Sequence, residues 1–110
     1  MIYSPELWAI IKLESADDTH YRVVGSWHGG YLSGDSWKFS SGIEGCEAKG
    51  DHYNLPQTSG SVYKCYYDNY GMSNYTTSVL NGYIRDTSES DKLTITLLTN
   101  EEALDYLESL

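Results

Sequence analysis

Two stretches of strict alternation, joined by a short polar turn, constrain this chain more than anything else in it. Residues 6–14 read Glu-Leu-Trp-Ala-Ile-Ile-Lys-Leu-Glu. At a period of two, Leu7, Ala9, Ile11 and Leu13 share one face, and Trp8, Ile10, Lys12 and Glu14 share the other. Residues 20–28 repeat the pattern, with Tyr21, Val23, Gly25 and Trp27 set against His20, Arg22, Val24, Ser26 and His28. The turn Ala16-Asp17-Asp18-Thr19 leaves too little chain for a crossover, so the two runs predict an antiparallel hairpin.

Shorter extended runs follow. Residues 36–40 place Trp37 and Phe39 on one side. Residues 43–48 and 52–55 predict a second hairpin across Lys49-Gly50-Asp51, ended by Pro56. Residues 61–67 put Tyr63, Cys65 and Tyr67 together, and residues 92–99 predict a strand with Leu93, Ile95 and Leu97 inward. In residues 75–85, Val79, Leu80, Tyr83 and Ile84 have helical spacing, so a short helix is expected despite the poor helix formers Thr76, Thr77 and Gly82. Thr87 to Asp91 read as a polar turn. A C-terminal helix is expected over 101–110, capped by Asn100, with Ala103, Leu104, Leu107 and Leu110 on its apolar arc. The fold class predicted is α+β: one domain, 1–110, with a mainly antiparallel sheet or half-barrel of about six or seven short strands. The C-terminal helix and one more short helix should pack on one face.

A chain of 110 residues can bury its own core without staples. Cys46 and Cys65 match neither a C-x-x-C redox motif nor a metal-ligand spacing, so both are expected as free, buried thiols. No apolar run approaches the roughly 18 residues that span a bilayer. The start Met1-Ile2-Tyr3-Ser4-Pro5-Glu6 lacks the basic and apolar regions of a signal peptide, which makes a cytosolic location the expectation.

Charge then limits the partners. Sixteen acidic residues against seven Lys and Arg give −9. Such a surface does not bind nucleic acid by neutralising phosphates, and it repels anionic lipid. A basic protein partner suits it. Residues 86–110 hold Asp86, Glu89, Asp91, Glu101, Glu102, Asp105 and Glu108 against Lys92 alone, a net −6. On the C-terminal helix, Glu101, Asp105 and Glu108 recur at i, i+4 and i+7 with Glu102 beside them, a partial imitation of a phosphate track. Dipole complementarity accounts for acids in the first turn but not for Asp105 and Glu108. Eleven Tyr with one Phe, amid abundant Gly and Ser, is also a binding-surface alphabet, although Tyr suits half-buried sheets as well.

Catalytic constellations are weak. His20, His28 and His52 are scattered, and no H-x-H, H-E-x-x-H or Cys/His cluster is present, so neither metal nor cofactor is expected. Gly25-Ser26-Trp27-His28-Gly29 has the wrong spacing for a nucleophile elbow and lies in a strand pattern. The glycine-rich loop Gly29 to Asp35 lacks the P-loop lysine. It does gather Trp27, His28, Tyr31, Asp35 and Trp37 around itself, a second candidate binding surface.

Three segments carry a resemblance: Tyr21-Arg22-Val23-Val24, GSWHGGYLSGDSWKFSSGI, and Ser59-Gly60-Ser61-Val62-Tyr63-Lys64-Cys65. Over residues 7–85 the chain resembles small bacteriophage proteins of the host-takeover and anti-defence class, to which anti-CRISPR proteins belong. No catalytic motif comes with the likeness. It implies a non-enzymatic inhibitor in the bacterial host cytosol. Its acidic groups would engage the basic, DNA-handling surface of a defence complex such as a CRISPR effector. A small-molecule binder, for instance of a nucleotide signal held by the glycine-rich aromatic loop, is the alternative, and a small hydrolase with an unrecognised site is a third.

Overall fold

A computed structural model describes residues 1–27, 36–88 and 92–110. The N-terminal strand pair forms as the alternation predicts. Strand β2 (Leu7–Glu14) runs antiparallel to β3 (Thr19–Trp27), with Leu7 opposite Ser26 and Glu14 opposite Thr19. This hairpin is the centre of a four-stranded antiparallel sheet. Strand β4 (Ser36–Phe39) pairs with β3, and β8 (Thr94–Leu97) pairs with β2.

A second sheet has the order β1-β7-β6-β5, from β1 (Ile2–Tyr3), β5 (Glu47–Ala48), β6 (His52–Pro56) and β7 (Val62–Tyr66). The β1–β7 pairing is parallel and the others antiparallel. Two helices complete the chain, α1 (Asn74–Ser88) and α2 (Asn100–Glu108). The molecule is therefore α+β, mainly antiparallel, with a C-terminal helix, as the sequence predicts. The strand beyond the expected six or seven is β1, two residues long and so without a period to read.

Both faces of the central hairpin are buried, which explains the apolar run Trp8-Ala9-Ile10-Ile11. Trp8, Ile10 and Val23 pack against Leu55, Tyr63 and Cys65 of the second sheet, with Leu98 and Ala103 and Leu107 of α2. Ile11 and Val24 face the other way, onto Leu80 of α1, with Ile95 beside them. The order of layers is α1, then the hairpin sheet, then the second sheet together with α2.

Pro5, fully buried, carries the chain from one sheet into the other, and the Glu6 N–H donates to the Ser26 carbonyl at 3.0 Å. Beside it the Trp27 ring lies across Gly25. A Cβ there would come within 2.9 Å of the indole and 3.1 Å of Pro5, so only glycine fits this crossing.

Tyr70 closes the hairpin sheet in an unusual way. The Val23 carbonyl accepts the Ser40 N–H and the Val23 N–H donates to the Ser40 hydroxyl, so the N–H and C=O of its cross-strand neighbour Ile10 turn the other way, toward Leu98. The Leu98 N–H donates to the Ile10 carbonyl at 3.0 Å. The return bond is interrupted: the Ile10 N–H donates to the Tyr70 hydroxyl at 3.1 Å, and that hydroxyl donates to the Leu98 carbonyl at 2.7 Å.

Several expectations change on contact with the tertiary structure. Helix α1 runs through Ser88, so the polar turn expected from Thr87 begins inside it, and its later part, 89–91, lies outside the described residues. The Ser73 hydroxyl accepts the Thr76 N–H at 3.1 Å and starts this helix, which offsets its weak propensity. Pro56 is the last residue of β6, as expected, and there it pairs with Val62 of β7 rather than across the second hairpin. Tyr67 leaves the strand for a 3-10 turn. Leu97 is exposed, because β8 is an edge strand and α1 does not cover that end; Leu98, one residue on, enters the core instead. In α2, Leu107 is buried as expected, Leu104 is only half-buried and Leu110 is exposed. The cap of α2 is Thr99 rather than Asn100. Its hydroxyl accepts the Glu102 N–H at 3.2 Å, and its own N–H donates to the Glu102 carboxylate at 2.9 Å, a reciprocal capping box.

Both cysteines are free, Cys65 fully buried and Cys46 half-buried against the same core. Burial pushes both thiols above their ordinary pKa, which lowers the reactive thiolate fraction. One thiol, Cys46, is expected to react slowly with a thiol reagent in the native protein, and Cys65 only after denaturation. Two fast native thiols would contradict the packing around Cys65. None after denaturation without reductant would indicate a disulfide.

Candidate functional site

Helix α2 is held by one narrow seam. Ala103 and Leu107 enter the core, and Tyr106, one turn from Ala103, stacks on Tyr21 of β3 with ring centroids 3.7 Å apart. The capping box fixes the other end. The acids of the helix face water: Glu101, Glu102, Asp105 and Glu108 are all exposed. Hydrogen bonds from the Thr99 backbone and hydroxyl side hold the Glu102 carboxyl below the usual carboxylate range, with a smaller contribution from Lys12. The Glu102 carboxylate is thus held in its charged form at the capped start of the helix.

The seam also makes a groove of about 320 Å³ between α2 and the hairpin sheet. Lys12 and Glu14 of β2 line it opposite Glu102 and Asp105 of α2, and Tyr21 and Tyr106 form an aromatic wall. Lys12, across from Tyr21 in the sheet, lies 3.7 Å from Glu14 and offsets part of its charge. Glu14, Tyr21 and Tyr106 are absent from the sequence-derived site. The i, i+3 spacing of Ala103 and Tyr106 was the available signal for Tyr106, but nothing local links it to Tyr21, 85 positions earlier.

The glycine-loop residues divide. His28, Tyr31 and Asp35 lie outside the described residues. Trp27 is half-buried; it meets Tyr3 edge-on at 6.5 Å and its indole N–H donates to the Ser4 carbonyl at 3.2 Å. Trp37, also half-buried, packs on Phe39 at 4.9 Å and on the partly exposed Tyr83 of α1 at 6.0 Å. Both tryptophans therefore have structural work, Trp27 tying the two sheets and Trp37 covering α1. The acidic helix and the tryptophans are not brought into one site.

No protein-family model, no curated protein and no solved structure matches this chain.

What the surface can do is read from its own geometry. Among the described residues, no group of three or more His, Cys, Asp and Glu side chains is placed to hold a metal. No helix among them is long and apolar enough to cross a membrane. The α2 groove offers three carboxylates and two phenol rings. That set suits the cationic side chain of another protein, since carboxylates accept from guanidinium or ammonium and an aromatic face attracts either.

Proposed function

We propose that this protein is a non-catalytic inhibitor that docks its acidic face on a basic, nucleic-acid-handling surface and keeps nucleic acid from it. A bacterial defence complex such as a CRISPR effector, met in the host cytosol, is the partner class. What supports the reading is the convergence of Glu14, Glu102 and Asp105 on one groove walled by the Tyr21–Tyr106 stack, continuous with exposed Glu101 and Glu108. An Arg or Lys that would otherwise contact a phosphate can enter this groove. The surrounding charge steers the encounter.

The test is a panel of purified CRISPR effectors and other nucleic-acid enzymes, assayed for DNA binding with and without this protein over a range of salt. Inhibition is expected to weaken as salt rises, since exposed charges are screened beyond about 8–10 Å at physiological ionic strength. The triple change Glu101→Lys, Asp105→Lys, Glu108→Lys should leave the fold intact, because none of these side chains enters the core. It should slow association about tenfold or more. A normally folded triple variant that inhibits as well as the parent protein sinks the reading, as does a panel in which nothing is inhibited.

A further inference from the structure

A second concavity, independent of the acidic face, has the opposite chemistry. It is a cleft of about 360 Å³ where the edge of the hairpin sheet approaches the second sheet. Arg22, Lys38, Ser40 and Ser41 line it from one side, and Tyr3, Ser59, Ser61 and Tyr63 from the other. Among the described residues no Asp or Glu lines it, in a chain of net charge −9 that has only seven Lys and Arg.

The hydrogen bonds leave this cleft rich in donors and poor in acceptors. The Ser40 hydroxyl accepts the Val23 N–H at 2.8 Å, that of Ser41 accepts the Ser59 N–H at 3.0 Å, and that of Ser59 accepts the Ser61 N–H at 3.4 Å. Each hydroxyl oxygen is occupied as an acceptor, which leaves its proton to donate elsewhere. Lys38 is positioned by Tyr3: its ammonium donates to the Tyr3 hydroxyl at 2.9 Å and lies 4.3 Å from the ring centroid. An ammonium has two further protons to give. Among the described residues, the Arg22 side chain donates only through Nε, to His20 at 3.3 Å, so the outer guanidinium nitrogens are uncommitted.

Tyr63 supplies the independent observation. It is 1% exposed, and among the described residues its hydroxyl has no hydrogen-bond partner. Burial pushes that phenol up to about 12, so it stays a neutral donor at physiological pH. A buried hydroxyl without a partner costs roughly 1–3 kcal/mol and calls for an explanation. A ligand oxygen would supply the missing acceptor.

The geometry points to a binding site for a small phosphate monoester, whose oxygens accept from Arg22, Lys38 and the hydroxyls of Ser40, Ser41, Ser59, Ser61 and Tyr63. Two cations match a dianion, and several hydroxyl donors match its acceptor oxygens. The volume, at the low end for ligand pockets, leaves room for a small organic group beyond the phosphate. A flat ring stacked on Tyr3 is not part of the fit, because Lys38 covers that ring and Tyr63 lies against it at 5.1 Å. Polynucleotides are disfavoured by the field of the whole acidic chain, which a small dianion feels far less.

Thermal unfolding and calorimetric titration test this, with inorganic phosphate, glycerol 3-phosphate and AMP as probes and sodium chloride at matched ionic strength as control. Both organic monoesters should raise the melting temperature, since they bind only the folded state, and chloride should not. Lys38→Gln, on an exposed edge position, and the near-isosteric Tyr63→Phe should each weaken binding about tenfold, the loss of one hydrogen bond to a charged group. Arg22→Gln should weaken it at least as much. The melting temperature of each free variant shows whether it has folded. No shift with any phosphate probe at millimolar concentration overturns the proposal. Equal shifts in the parent protein and in folded Lys38→Gln and Tyr63→Phe also overturn it, because the phosphate would then sit elsewhere. The acidic-face reading is untouched by either result.

Discussion

Replacing Tyr70 by Phe is expected to destabilise the fold by about 2–5 kcal/mol, although it removes a single oxygen. That oxygen serves two backbone groups at once, accepting from Ile10 N–H and donating to Leu98 C=O. Both residues are buried, so water does not replace it readily. Each orphaned group costs roughly 1–3 kcal/mol. The strands cannot simply close on each other, because the Tyr70 ring meets Trp8 edge-on at 4.9 Å and its backbone bridges to Trp8. Urea unfolding should show a lower midpoint with an unchanged slope. Amide exchange at Ile10 should accelerate locally. A loss below about 0.5 kcal/mol would mean that Ile10 and Leu98 pair directly once the hydroxyl has gone.

Leu107→Ala is expected to cost about 2–5 kcal/mol, the range for a buried leucine whose cavity cannot collapse. Leu107 is 2% exposed and shares the core with Trp8, Leu55 and Cys65. Its surroundings are strands of two different sheets, which limits relaxation around the hole. Leu104→Ala, one turn back on the same helix but half-buried, should cost markedly less. The contrast matters because helix propensity favours Ala at both sites, so only burial separates them. Equal stability of Leu107→Ala and the parent protein would refute the docking of α2. If that docking loosens, the Tyr21–Tyr106 stack and the groove beside it should go as well. Leu107→Ala should then impair binding through the acidic face without altering a single charge.

The hairpin of β2 and β3 was legible because a period of two sorts side chains between faces with no knowledge of the rest of the chain. The face assignment holds residue by residue: Ile11 turns to α1, and Trp8 and Ile10 to the second sheet. The C-terminal helix was legible from its spacing and its acidic start. Its true cap is written in Thr99-Asn100-Glu101-Glu102, a Thr followed three residues later by Glu, whereas a cap at Asn100 puts the boundary one residue late. Leu97 shows the limit of periodicity. An alternating pattern says which residues share a face but not whether anything covers that face at a given end.

The exposed acids of α2 could be named in advance because helix geometry alone separates them from Ala103 and Leu107. Which residues would stand beside them could not. Glu14 and Asp105 line one groove only because β2 packs beside α2, and the cationic cleft exists only because the Ser59–Ser61 turn folds back on the end of β4. By itself the sequence determined the local periods, the hairpin, the helices, the net charge and the absence of a recognisable catalytic spacing. Tertiary structure alone decided that the strands divide into two sheets, that β1 runs parallel to β7, that the Tyr70 hydroxyl interrupts a ladder, and that Arg22 and Lys38 gather hydroxyls in an acidic protein. The physical reason is range. Side-chain periodicity follows from bond geometry within a few residues, whereas each of these juxtapositions joins segments dozens of residues apart and is fixed only when the shared core of Trp8, Tyr63 and Leu107 is buried.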